Sequence, residues 1–206
     1  MNLSPNITLI EGMSRTRIKN LREELPKARD GQQRILMPYL KNLGNDRELK
    51  NSLFGEGEQR DSVAEYMCSL ANRRATFIAG VHADKAAPDS IRSLVLNIHL
   101  LSSYSALRES SSLDRWADMV ALTFLDLMPK RIVFLDHRAE NGKLDTTHRT
   151  WSYRDENSVG RDNDRRVEAL KALHCRIPDL EVITLHAGIP LNIEAEKIYD
   201  FATQGL

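Results

Sequence analysis

The chain predicts an α/β fold in three layers, a five-stranded parallel sheet covered by helices on both faces. Two observations predict it. Five compact runs rich in Ile, Val and Leu alternate with longer segments of helical character, and those runs are apolar almost throughout. Nearly continuous apolar strands are strands buried on both faces, the situation of a parallel sheet. Helical segments between them supply the crossovers that parallel neighbours require.

The strands are expected at Ile7–Glu11, Arg34–Met37, Ser93–Ile98, Arg131–Asp136 and Glu181–Leu185. Helices are expected over residues 14–25, 45–54, 60–82, 114–128, 160–175 and 191–203. Asp61 or Ser62 is placed to cap the third helix, Asp114 the fourth and Asn192 the last, and Glu65 follows Ser62 at capping-box spacing. Along the third helix Val63, Met67, Leu70, Arg74, Phe77, Ile78 and Val81 form an i, i+3, i+4 stripe. An arginine therefore interrupts an otherwise apolar face. No internal repeat is visible, and the long polar region is Arg138–Arg166.

With 206 residues, 41% of them hydrophobic, the chain has enough apolar material for one substantial core, so a single domain over 1–206 is expected. Twenty-nine basic and 29 acidic residues cancel, which gives no global attraction to nucleic acid or to anionic lipid. Cys68 and Cys175 lack CxxC spacing and fall in helical segments, so both read as buried, reduced, structural thiols. Without an apolar run of about 18 residues or a charged-then-apolar leader, a soluble cytoplasmic protein without a membrane partner is expected. Histidines at 82, 99, 137, 148, 174 and 186 make neither HxxxH nor HExxH, and no G-x-S-x-G occurs. A transition-metal site and a serine hydrolase are accordingly not expected.

The stretch Asn6–Leu21, "NITLIEGMSRTRIKNL", begins as a strand–turn–helix phosphate loop begins. That loop reads G-x-x-x-x-G-K-[ST]: glycines let backbone N–H groups close on phosphates, the Lys reaches the outer oxygens and the hydroxyl holds Mg²⁺. Counted from Gly12, the second glycine falls on Arg17, the Lys on Ile18 and the hydroxyl on Lys19. A side chain at Arg17 also hinders close approach of backbone to phosphate. Arg15, Arg17 and Lys19 nevertheless put three positive charges at a helix N-terminus, a favourable place for an anion. They read either as side-chain phosphate ligands or as a solvated first turn.

The segments "ITLIEG", "YMCSLANRRATFIAGV", "LVLNIHLLSSYSAL", "PKRIVFLDHR", "YRDENSVGRDNDRRVEALKAL" and "LEVITLHAGIPLNIEAEKIYDF" follow one another through nearly the whole chain. In that order and spacing they resemble the thymidylate kinase family of nucleoside monophosphate kinases, whose fold is P-loop kinase-like. The resemblance implies a deoxynucleoside monophosphate substrate, ATP and Mg²⁺ as cofactors, and a homodimer packed through helices. It implies that Arg73, in the Ala-Asn-Arg place, holds the substrate phosphate. It also implies a nucleotide-binding role for Ser102, Ser103 and Tyr104 after the third strand, and a lid over about 137–160 whose arginines, Arg149 and Arg154 among them, cover the transferring phosphates.

This chain departs from the family where the chemistry would lie. Ile18 replaces the loop Lys, Arg15 and Arg17 replace glycines, Ser14 replaces an acidic residue, and Asn97-Ile98 replaces Asp-Arg with His99 in the Tyr place. In phosphoryl transfer the protein chiefly positions phosphates and neutralises charge, so these losses argue against ordinary catalysis with Mg²⁺ and ATP. Arg74, on an apolar stripe, needs a partner: a nucleotide phosphate, Asp136 or a helix carboxylate such as Glu65. The arginines of 137–166 read either as a lid or as a surface loop with self-compensating charge, while Trp151 and Tyr153 favour a contact surface, for base stacking or for a protein partner. Two functions stay open. One is a nucleotide-binding protein with phosphoryl transfer atypical, weak or lost; the other is a non-catalytic interaction or regulatory module on the kinase fold.

Overall fold

The computed structural model describes residues 6–12, 14–28, 35–38, 71, 74–79, 93–105, 113–123, 129–145 and 156–204. Strands β1 (Asn6–Gly12), β2 (Ile35–Leu36), β3 (Ser93–Leu96), β4 (Arg131–Leu135) and β5 (Glu181–Leu185) form one sheet in the order β2-β3-β1-β4-β5. Every pairing is parallel. Around it lie α1 (Arg15–Glu24), the helical residues 74–79 (α2), α3 (Leu100–Ser105), α4 (Leu113–Thr123), α5 (Glu156–Arg176) and α6 (Leu191–Thr203).

Successive strand residues point to opposite faces, so an apolar strand requires cover on both sides. Leu9, Leu94, Leu96, Ile132 and Phe134 pack with Phe77, Trp116, Val120 and Leu173 on one face. Their sequence neighbours Ile10, Val95, Val133 and Leu135 pack with Ile18, Leu21, Leu25, Ile198 and Tyr199 on the other. The two clusters are the interiors of a three-layer α/β sandwich, as the strand composition predicts. Since β1 lies at the centre with β3 on one side and β4 on the other, the chain winds outward in both directions from it. Ligand crevices in open α/β sheets form outside the carboxyl ends of strands at such a reversal.

Several local expectations are corrected. α4 begins at Leu113, which places Asp114 inside the first turn rather than at the cap, and its carboxylate pairs with Arg176 of α5 at 3.2 Å. α6 begins at Leu191 after Pro190, whose carbonyl already accepts from Glu194 N at 2.9 Å, so Asn192 is not the cap. α5 starts at Glu156, four residues before its expected start. On α2, Thr76 and Phe77 are buried, Arg74 is half-buried and Ile78 is 36% exposed, so the buried face is rotated towards Thr76. Cys175 is exposed on the last turn of α5. The helix expected at 45–54, most of that at 60–82, residues 124–128 and Cys68 lie outside the described residues. Among the described residues no helix is long and apolar enough to cross a membrane.

Candidate functional site

The carboxyl ends of β1, β4 and β5 meet the first turns of α1 and α6. Gly12 ends β1 opposite Leu135 in register, and a Cβ at Gly12 would lie 2.8 Å from the Leu135 Cβ and 3.2 Å from its carbonyl oxygen. The glycine is required there by strand packing. α1 then starts at Arg15, only three residues further on. Ser14, in extended backbone geometry, caps it: its hydroxyl accepts from Arg17 N at 3.1 Å and its carbonyl from Ile18 N at 3.0 Å. Positions 17 to 19 are thus already helical. Ile18, Leu21 and Leu25 form the stripe that fastens α1 to the sheet, so the side chain in the loop-Lys position is a core anchor, 4% exposed.

Arg17 is 8% exposed, which corrects the expectation of a solvated first turn. Its Nε donates to both Glu194 carboxylate oxygens, at 2.8 and 3.1 Å, and Nη2 also pairs with that carboxylate. Nη1 donates to the Asp136 carbonyl at 2.9 Å, and Nη2 to the carbonyls of Leu185 and His186, both at 3.1 Å. Those carbonyls stand at the carboxyl ends of β4 and β5. A buried guanidinium is tolerable only when paired and hydrogen-bonded, and here it is both. Lys19 is exposed on the outer side of the same helix.

Beside it lies a buried polar cluster. The Asp136 carboxylate accepts from Arg138 N and from Asn163 Nδ2, each at 2.8 Å, and faces His186 Nδ1 at 3.3 Å. His137 is 4% exposed, and its Nε2 has no hydrogen-bond partner among the described residues. Burial and then the Arg17 charge push its pKa below 6.5, against the opposing pull of Asp145 and Asp136. From His137 onward the supposed lid opens as a tight hairpin: Arg138 bridges Leu144, Gly142 turns at φ +77, and the Arg138 guanidinium grips Asp164 of α5 at 2.9 Å. Arg17 and Glu194, with Asn20, Leu144, Asp145 and Ile189, are among the residues lining a cavity of about 520 Å³ between this hairpin, α1 and α6.

At the end of β3 the contacts are also internal. Glu11, fully buried, accepts from Leu100 N at 2.7 Å and Leu101 N at 3.2 Å, capping α3 with its carboxylate. Asn97 Nδ2 donates to the Ile10 carbonyl at 2.7 Å, and His99 takes a left-handed φ of 54°.

No protein-family model matches the chain, and no curated protein matches it in sequence. Solved structures do. Thymidylate kinase from Candida albicans superposes with a TM-score of 0.54 at 10% identity, over 96% of this chain and 90% of its own. Thymidylate kinase from Ehrlichia chaffeensis gives 0.53 at 13% identity, over 95% and 97%. In fold, this chain is similar to the thymidylate kinases. That covers the whole architecture and bears out the sequence resemblance at the level of fold.

On this thymidylate-kinase-like frame, Gly12, Ser14, Arg15, Arg17 and Lys19 are brought together at the β1–α1 junction. Ser102, Ser103 and Tyr104 lie in α3, a short helix not foreseen from the sequence, and the Tyr104 ring sits 5.5 Å from that of Trp116. Arg74 lies half-buried on α2; Arg73, Arg149 and Arg154 lie outside the described residues. Glu194 was missed by sequence reasoning. Its signal is a carboxylate on the buried stripe Ala195, Ile198, Tyr199 and Ala202, which requires a cation just as Arg74 on an apolar stripe requires an anion.

Proposed function

We propose that this protein is a thymidylate-kinase-like nucleotide-binding protein that takes a deoxynucleoside monophosphate and transfers phosphoryl groups from ATP weakly or not at all. The observation that carries this reading is the β1–α1 junction: Arg17, in the second-glycine position, is spent on Glu194, and Ile18, in the Lys position, is buried in the core. Ser14 Oγ accepting from Arg17 N adds support, since among the described residues the hydroxyl, the Arg17 guanidinium and Ile18 already have internal roles where a glycine loop would turn to Mg²⁺ and triphosphate. The monophosphate would be held by Arg73 with Arg74, near Ser102, Ser103 and Tyr104, and covered by Arg149 and Arg154.

A thermal-shift series tests it, because a ligand that binds only the native state raises stability by mass action. dTMP should stabilise the protein and Mg-ATP should do so weakly or not at all. Removing Arg73 as Arg73→Ala should weaken dTMP binding about ten- to a hundredfold while leaving folding intact. Micromolar ATP binding would sink the proposal, as would dTMP binding indifferent to Arg73→Ala.

One observation favours a second reading, an interaction module or a homodimer built on α4. Leu122 is 72% exposed on that helix. Sedimentation at tens of micromolar protein should then show a species larger than the monomer, and Leu122→Lys should abolish it.

A further inference from the structure

The pair at the floor of the cavity has the composition of an occupied anion site. A guanidinium stands in the first turn of α1, where backbone dipoles also favour negative charge. The anion present is the protein's own. Glu194 offers both carboxylate oxygens to Arg17 Nε, at 2.8 and 3.1 Å, from the first turn of α6. Its side chain is 2% exposed, and the Arg17 side chain 9%. Carboxylate and phosphate present similar paired oxygens to a guanidinium, so one can take the place of the other. Both residues border the 520 Å³ cavity, so a small anion can reach them once the carboxylate is removed.

We infer that Glu194 is a built-in counter-anion for Arg17, an autoinhibitory contact that closes the start of α1 to external phosphate. The inference rests on, and deepens, the reading that donor phosphates are handled weakly: the guanidinium that substitutes for a loop glycine is held by an internal competitor. Because Glu194 belongs to the same chain, it acts at a fixed high effective concentration that free phosphate must overcome.

The test is chemical rescue. Full-length protein, Glu194→Gln and Glu194→Ala are melted in sodium phosphate and in sodium chloride of equal ionic strength, each also in an Arg73→Ala background. Both Glu194 variants should melt lower than the parent in chloride. Phosphate in several-fold excess over its Kd should then raise them saturably, by roughly 2–4 °C, in both backgrounds, and leave the Arg73→Ala protein that keeps Glu194 unmoved. A variant that folds only in phosphate also supports the inference. Equal phosphate stabilisation of the Arg73→Ala protein that keeps Glu194 overturns it, since Arg17 would then be open to external anions. Absence of rescue in both variants, including failure of both to fold in either salt, overturns it as well, because Glu194 would then be doing more than neutralising charge. Rescue lost in the Arg73→Ala background assigns the phosphate to the other site and likewise refutes it. Loss of dTMP binding with intact rescue would defeat the proposed function alone.

Discussion

Gly12 and Leu135 stand directly opposite in the β1–β4 ladder, so close that a Cβ on Gly12 would come within 2.8 Å of the Leu135 Cβ. The obstacle is the root of a side chain and its own carbonyl, neither of which can swing away. Gly12→Ala should therefore destabilise by about 1–3 kcal/mol through overpacking between central strands. The urea midpoint measures this. An unchanged midpoint would mean that β1 and β4 can separate without cost, and would remove the packing account of this glycine.

The Arg17–Glu194 pair predicts a strong asymmetry between single and double replacements. Arg17→Ala removes the guanidinium that neutralises the buried Glu194 carboxylate and donates to the carbonyls of Asp136, Leu185 and His186, at a cost of about 3–5 kcal/mol. Replacing both at once, Arg17→Met with Glu194→Leu, removes the stranded charge and should recover most of that loss. As a control, Asp164→Asn breaks the exposed contact with Arg138 and should shift stability by no more than about 1 kcal/mol. A double variant no more stable than Arg17→Ala would show that the loss arises from shape rather than charge.

The sheet was legible because its signal is local: composition along each run fixes that both faces are covered, and the alternation of Leu9 with Ile10 or Phe134 with Val133 between two cores follows directly. The role of Arg17 was not legible, because its partner lies 177 residues away. From sequence it is one of three cations on a first turn, and nothing local separates the buried Arg17 from the exposed Lys19. Helix starts failed for a related reason. Asp114 and Asn192 have cap chemistry, yet Pro190 starts α6 earlier and Asp114 is drawn to Arg176 of α5. The short α3 escaped because a carboxylate on another strand, Glu11, caps it.

His137 predicts a pH dependence with a definite sign. It is almost fully buried, its Nε2 finds no partner among the described residues, and burial together with the Arg17 charge holds its pKa below the ordinary 6.5. The unfolded chain restores that ordinary value. Between the two pKa values the unfolded state binds more protons than the native state, so stability rises with pH across that interval. The contribution is fully present above about 6.5, declines as pH falls below it, and levels off beneath the folded value. Replacing His137 with Gln removes this titration but leaves the other histidines and the carboxylates in place. Urea midpoints at pH 8, 7, 6 and 5 should therefore fall more steeply for the parent than for His137→Gln, with the difference opening below about pH 6.5. Parallel midpoints across that range would mean that His137 takes up its proton as readily in the native protein as in the unfolded one, which its burial beside the Arg17 guanidinium does not allow.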